Sequence, residues 1–108
     1  GNFYDVPIHE GEVFMLPPHV RHSPQRPQEG SVGLVVEPSR GSDELDAFEW
    51  YCFNCQARVH RVEVKVASLV KDLPPLYEAF YKDEKARTCP KCGTIHPGKS
   101  PPPGWVKL

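Results

Sequence analysis

The 108 residues carry no surplus charge of either sign: 13 lysines and arginines face 14 aspartates and glutamates, for a net charge of -1. Without a one-signed field there is no electrostatic footprint for nucleic acid or for an anionic membrane surface. Long apolar runs are missing as well. The longest, Val13-Phe-Met-Leu-Pro-Pro18, is far short of the roughly 20 residues that a membrane helix needs. No cationic stretch followed by an apolar one opens the chain, so no secretory leader is expected and the reducing cytoplasm is the expected setting. The length leaves room for one small domain, or one and a fraction, with a modest core.

Cysteine is scarce, yet all four residues fall into two Cys-x2-Cys pairs, Cys52-Phe-Asn-Cys55 and Cys89-Pro-Lys-Cys92, with 33 residues between them. In a reducing compartment that spacing favours a metal over two disulfides. Each pair turns tightly enough to aim two thiolates at one ion, and two such turns close a tetrahedron. Cys-Pro-x-Cys-Gly is the form used by rubredoxins and zinc ribbons, where proline fixes the turn and Gly93 leaves room for N–H groups to approach sulfur. Iron and zinc both suit four thiolates. A closed tetrathiolate site has no open coordination position, so its expected role is structural, stapling a unit too small to hold itself together.

Proline is abundant, with 13 residues, and it punctuates the chain. Residues 3 to 38 read as short strands and turns. Tyr4–Ile8 is an edge strand, because Pro7 cannot donate to a ladder. His9–Glu12 is a turn with Gly11 at positive φ. Val13–Leu16 is a short buried strand, Gln28–Gly30 a turn, and Ser31–Glu37 a β-rich apolar strand. The polar stretch from Arg40 to Asp46 is a linker, and it divides the chain into units 1–46 and 47–108. In the second unit Val62, Val64 and Val66 alternate with charged residues over Arg58–Val66, a half-buried strand. Leu73, Leu76, Tyr77, Phe80 and Tyr81 recur at helical spacing and predict a helix from about Pro74 to Lys82. Asp72 is its candidate N-cap, and Pro74 and Pro75 its first turn.

The pattern Gly11-x5-Pro17-x4-His22-x3-Arg26 resembles the second conserved block of cupin barrels. The longer stretch from Met15 to Pro27, together with Val36-Glu37 and the two cysteine pairs, is similar to the bacterial and fungal-type 3-hydroxyanthranilate 3,4-dioxygenase family over nearly the whole chain. The resemblance implies a mainly β architecture. Part of a cupin jelly-roll (double-stranded β-helix) barrel would occupy 1–46, and a small rubredoxin-like four-Cys unit with one or two short helices would occupy 47–108. It also implies an enzyme that cleaves the ring of 3-hydroxyanthranilate with O2 to give 2-amino-3-carboxymuconate semialdehyde. That product closes to quinolinate, the precursor of the NAD pyridine ring.

Non-haem Fe(II) of this kind sits on two histidines and one carboxylate, leaving positions for substrate and O2. The resemblance assigns one of those ligands to His22, substrate-carboxylate binding to Arg26, and a place beside the substrate amino and hydroxyl groups to Glu37. Glu37 there is suited to accept a proton. Arg26 lies four residues past His22, so on a strand both point the same way, and a guanidinium is suited to bidentate carboxylate binding. His19 replaces the glycine usual in the cupin block and is expected to shape the pocket. A second Fe or Zn belongs to Cys52, Cys55, Cys89 and Cys92. Family members are often dimers, so a homodimer is a further expectation, with Trp105 of the proline-rich tail gaining by burial against the partner.

One departure is as informative as the match. The other two iron ligands of the family come as His-x5-Glu, and none of His9, His19, His22, His60 or His96 has an acidic residue six positions on. The arginine expected before that motif is also missing. The expectation is therefore the C-terminal part of a longer enzyme, inactive by itself. The competing reading is a non-catalytic metal-stapled cupin or zinc-ribbon binding module. Against nucleic acid as its partner, the lysines and arginine at 65, 71, 82, 85, 87 and 91 are interspersed with acidic residues and form no one-signed face.

Overall fold

The computed structural model describes residues 3–100. Four elements order it: β1 (Asp46–Tyr51), β2 (Arg58–Val64), α1 (Leu69–Lys82) and α2 (Glu84–Arg87). The two strands form one antiparallel hairpin, with Phe48 opposite Val62, Glu49 opposite Arg61 and Trp50 opposite His60. A register shift follows Trp50, so Tyr51 faces Arg58 and Val59 is the extra residue.

Alternation along β1 divides the hairpin into two faces. Phe48 and Trp50 turn toward α1. The Trp50 ring stacks on Phe80 at 4.2 Å between centroids, and Tyr77 meets both Phe48 (5.9 Å) and Trp50 (6.0 Å) edge-on. His60, across from Trp50, lies 5.5 Å from Phe80. Phe80 is only 2 % exposed and is the centre of this core. Leu73, Leu76, Tyr77 and Tyr81, the other residues of the expected helix stripe, are half-buried on the same helix. Val62, Val64 and Val66 are half-buried while their charged neighbours are exposed, as the strand alternation requires.

The helix departs from expectation at its start. It begins at Leu69, five residues before Pro74, so both prolines lie inside it. Asp72 is not the N-cap: that position is Ser68, whose side chain makes no capping bond. Asp72 instead reaches back, and its Oδ2 accepts from the backbone N–H groups of Ala67 and Ser68, both at 2.8 Å. One carboxylate thus satisfies the backbone N–H groups of the N-cap residue and of the residue before it. The backbone of Asp72 closes the first helical bond onto Ser68 O. That turn is secured before the prolines withdraw two donors from the ladder.

The first unit differs more. The expected strands Tyr4–Ile8, Val13–Leu16 and Ser31–Glu37 do not form, and the described residues are not mainly β. The turns between them do appear: Glu12 N–H donates to His9 O with Gly11 at φ 80°, and Ser31 N–H donates to Gln28 O. The reason is a missing partner. A strand needs a neighbour for its backbone groups and a surface for its side chains. Val13, Val32 and Leu34 are 93 %, 96 % and 91 % exposed, and no described segment lies against them. The linker is a turn in which Gly41 N–H donates to Glu44 Oε2, and Arg40 pairs with Glu37 and Asp46. A complete cupin barrel is not present in these residues. The tail from Pro101, with Trp105, lies outside the described residues. No helix among the described residues is long and apolar enough to cross a membrane.

Candidate metal centre

Both cysteine pairs sit in hairpin loops of the same construction. The first loop joins β1 to β2. Cys52 N–H donates to Ala57 O, and Cys52 O accepts from Gln56 N–H, each at 2.8 Å. The second lies inside the Thr88–Ile95 bridge. Cys89 N–H donates to Thr94 O, and Cys89 O accepts from Gly93 N–H, each at 2.9 Å. The spacings match position for position. In each loop the residue after the second cysteine is left-handed, Gln56 at φ 61° and Gly93 at φ 77°.

The loops meet through their sulfurs. Cys52 Sγ lies 3.6 Å from Cys92 Sγ, and Cys55 Sγ lies 3.6 Å from Cys89 Sγ. All four sulfurs fall within 4.8 Å of one another, and none is in a disulfide. A tetrahedron with metal–sulfur bonds of about 2.3 Å has sulfur–sulfur edges of about 3.8 Å. The four thiols therefore fit a tetrathiolate metal, and among the described residues they are the one cluster of metal-ligating side chains.

Surroundings distinguish the four ligands. Cys52 and Cys89 are buried, Cys55 is half-buried and Cys92 is exposed. The Thr94 hydroxyl, 3.2 Å away, with the Thr94 backbone N–H and the Asn54 amide at 3.6 Å, pulls the Cys92 thiol down to about 5. The backbone N–H groups of Cys92 and Lys91 lower Cys89 in the same way. The Ala57 N–H favours the Cys55 thiolate too, but burial and the neighbouring thiols outweigh it and push that group up to about 11. An apolar pocket lined by Phe53, Ile95, His96 and Pro97 abuts Cys52. His96 packs between Phe53 (4.9 Å) and Phe80 (5.3 Å) and so ties the second loop to the core. Its Nδ1 accepts from Gly98 N–H at 3.0 Å, which leaves the proton on Nε2. Burial, with Arg87 nearby, holds its pKa below the ordinary histidine value.

The sequence pattern points to the cysteines but passes over Asn54 and Thr94, because nothing about a lone amide or hydroxyl marks it as a sulfur donor. It also passes over Glu49. That carboxylate, 8 % exposed on the face of the hairpin away from α1, receives the Tyr51 hydroxyl and the guanidiniums of Arg21 and Arg61, with Arg58 at 3.5 Å. The Tyr51 hydroxyl, followed by Arg21 and Arg61, lowers its carboxyl to about 2 against the opposing cost of burial. Arg21 comes from the cupin-like stretch, so this cluster is one place where that stretch meets the hairpin, the Phe3–Phe53 ring pair being another.

The residues assigned by resemblance to the iron and substrate are dispersed on the surface. His22 is exposed, with Nδ1 2.8 Å from Val20 O. Arg26 is exposed, donates to Gln25 O, and lies against Gly33. Glu37 is exposed and pairs with Arg40. No group of three or more ligating side chains among the described residues includes His22, so these residues alone do not fit a catalytic iron. His19, standing where the cupin block has glycine, is in left-handed backbone at φ 64°, the region glycine favours.

Two matching hairpin turns bring four free thiols together in a site of the kind that could hold one tetrathiolate metal. Residues 1–81 match the family model described as 3-hydroxyanthranilic acid dioxygenase, and the chain belongs to that family. The matched stretch contains His22, Arg26, Glu37, Cys52 and Cys55 and ends before Cys89. The chain is similar to a protein from Ruegeria pomeroyi named 3-hydroxyanthranilate 3,4-dioxygenase, at 68 % identity over 108 residues, which is 100 % of this chain and 60 % of the relative. A protein of the same name from Brucella anthropi is 68 % identical over 100 % of this chain and 59 % of its own length. Another from Shewanella woodyi is 65 % identical, with 57 % of its length covered. The chain thus spans at most 60 % of the length of these curated relatives.

Proposed function

We propose that this chain is the C-terminal part of a 3-hydroxyanthranilate 3,4-dioxygenase, which opens the ring of 3-hydroxyanthranilate with O2 in the cytoplasm. The supporting observation is 68 % identity along all 108 residues to an enzyme of that name. Residues 1–46 are the second half of the cupin barrel, and 47–108 are the rubredoxin-like unit with its structural iron or zinc. The exposed apolar residues Val13, Val32 and Leu34 are those that a barrel would enclose.

In the complete enzyme His22 supplies one ligand to the catalytic Fe(II), and the other two come from chain outside these residues. One imidazole does not hold that ion, so no chemistry at iron is assigned to the present residues by themselves. Arg26 grips the substrate carboxylate through a bidentate guanidinium contact. Glu37 takes up the proton that the substrate hydroxyl releases, exchanging its exposed pairing with Arg40 for a place in the pocket. A homodimer is the assembly this reading expects.

The test uses the full-length protein. Arg26→Ala should raise KM by about ten-fold or more, the loss of a charge-assisted contact, with a smaller effect on kcat. An unchanged KM removes Arg26 from the substrate site. His22→Ala should lose one metal per chain and all ring cleavage while retaining the metal on the four cysteines. Retention of both metals rejects His22 as a ligand.

A further inference from the structure

The two cysteine loops are built alike, but their ligands are not equivalent toward solvent. Cys52 and Cys89, the first cysteine of each loop, are buried, and Cys52 also lines the apolar pocket. Cys55, the second cysteine of the first loop, is half-buried. Its counterpart Cys92 is the exposed ligand. Cys92 is also the one with side-chain hydrogen-bond partners outside the cysteines: it donates to Thr94 Oγ1 at 3.2 Å within its loop, and accepts from Asn54 Nδ2 at 3.6 Å reaching across from the other. Ala57, which occupies the place of Thr94 in the first loop, has no hydroxyl to offer Cys55.

We propose that Cys92 is the ligand through which metal enters and leaves the tetracysteine site, and that Thr94 and Asn54 are positioning residues that hold its thiolate once the metal bond opens. The inference rests on the reading that the four thiolates carry a metal. A metal–thiolate bond opens most readily where water or a competing ligand reaches the sulfur. The charge freed on Cys92 is met by the Asn54 amide and by the Thr94 hydroxyl, which turns its proton to the bare thiolate, and these bonds strengthen as the sulfur regains the charge it shared with the metal. Cys52, Cys55 and Cys89 remain behind as a three-thiolate seat, so exchange needs no unfolding of either hairpin.

The experiment follows zinc-loaded and cobalt(II)-loaded full-length protein treated with less than one equivalent of N-ethylmaleimide. Peptide mapping by mass spectrometry is expected to find the label at Cys92, about ten-fold over Cys52 or Cys89. Loss of the cobalt–thiolate absorption should keep pace with that labelling. Thr94→Val should slow metal transfer to a chelator by roughly five-fold, the differential worth of one hydrogen bond to a charged sulfur, whereas Lys91→Ala leaves it unchanged. Labelling that begins at Cys55, or equally at all four cysteines, overturns the proposal. So does an unaltered or faster transfer from Thr94→Val. A full-length protein whose metal content is unaffected by replacing all four cysteines with serine fails at the earlier step, the metal reading itself, and takes this proposal with it.

Discussion

Gln56 and Gly93 occupy the same place in two copies of one turn. Each follows the second cysteine of its pair, each donates its N–H to the carbonyl of the first cysteine, and each is left-handed, at φ 61° and 77°. Glycine adopts that backbone freely, whereas a residue with a Cβ is strained there by about 1 kcal/mol. Gln56→Gly should therefore stabilise the metal-loaded protein by about 0.5–1 kcal/mol, and Gly93→Ala should destabilise it by about 1 kcal/mol. Space is not the obstacle at Gly93, where an added Cβ meets no atom within 4 Å. Denaturant midpoints for the two variants decide the matter, and equal shifts of the same sign would show that the turns are not equivalent.

Glu49 gives the fold a dependence on acid. Its carboxyl is held at about 2 in the folded protein, below its ordinary value of 4.5, first by the Tyr51 hydroxyl and then by Arg21 and Arg61. A depressed carboxyl contributes stability that is fully present above the ordinary value and is lost as pH falls through the folded one. The window is therefore from about pH 4.5 down to about pH 2. Arg21 and Arg58 are largely exposed, so solvent screening reduces the contribution to about 1–2 kcal/mol. Glu49→Gln should flatten the loss of stability over that interval, and a variant with the slope of the parent would show that the cluster contributes nothing to it.

Phe80 carries the core of the second unit. It is stacked on Trp50 and flanked by His60, Tyr81 and His96. Truncation to alanine leaves a cavity beneath all four rings and should cost about 3–5 kcal/mol. The thermal midpoint and the near-ultraviolet circular dichroism of Trp50 report the loss together. Retention of the aromatic signal with a lowered midpoint would mean that the surrounding rings collapse onto the gap.

How much of this was readable in the sequence follows from how local each feature is. The tetracysteine site was legible because two Cys-x2-Cys spacings constrain geometry within a few residues. The stripe of Leu73, Leu76, Tyr77, Phe80 and Tyr81 was legible because its period is set by one helix. The helix start was misplaced because Pro74-Pro75 reads as a first turn, whereas the Asp72 carboxylate closes a turn ahead of it. β1 was passed over although Phe48 and Trp50 alternate with Glu49 and Tyr51, since the polar stretch before it ends at Asp46, its first residue. The Glu49 cluster was illegible because Arg21 lies 28 residues away. In the first unit the apolar alternation of Val32, Leu34 and Val36 is present, but alternation makes a strand only where another strand accepts its hydrogen bonds.

Metal removal should act on the aromatic core as well as on the cysteines. The two loops touch at the sulfurs, where Cys52 meets Cys92 and Cys55 meets Cys89, and through His96, which sits on Phe53 and Phe80. With the metal in place, four thiolate bonds close the gap between β1–β2 and the Thr88–Ile95 hairpin. Without it those four bonds are lost, and only the weak sulfur–sulfur contacts of Cys52 with Cys92 and of Cys55 with Cys89, at 3.6 Å, take their place. The second loop is then held to the rest by the His96 imidazole, by the Asn54 amide on Cys92 and by α2, a helix of 4 residues. A chelator should therefore free the 88–96 loop first, raising its amide exchange before that of β1 and β2, and only then lower the Trp50 signal as His96 leaves Phe80. Hydrogen exchange on the apo protein separates the two stages. Simultaneous loss of protection in both hairpins would mean instead that the metal and the aromatic core form one cooperative unit.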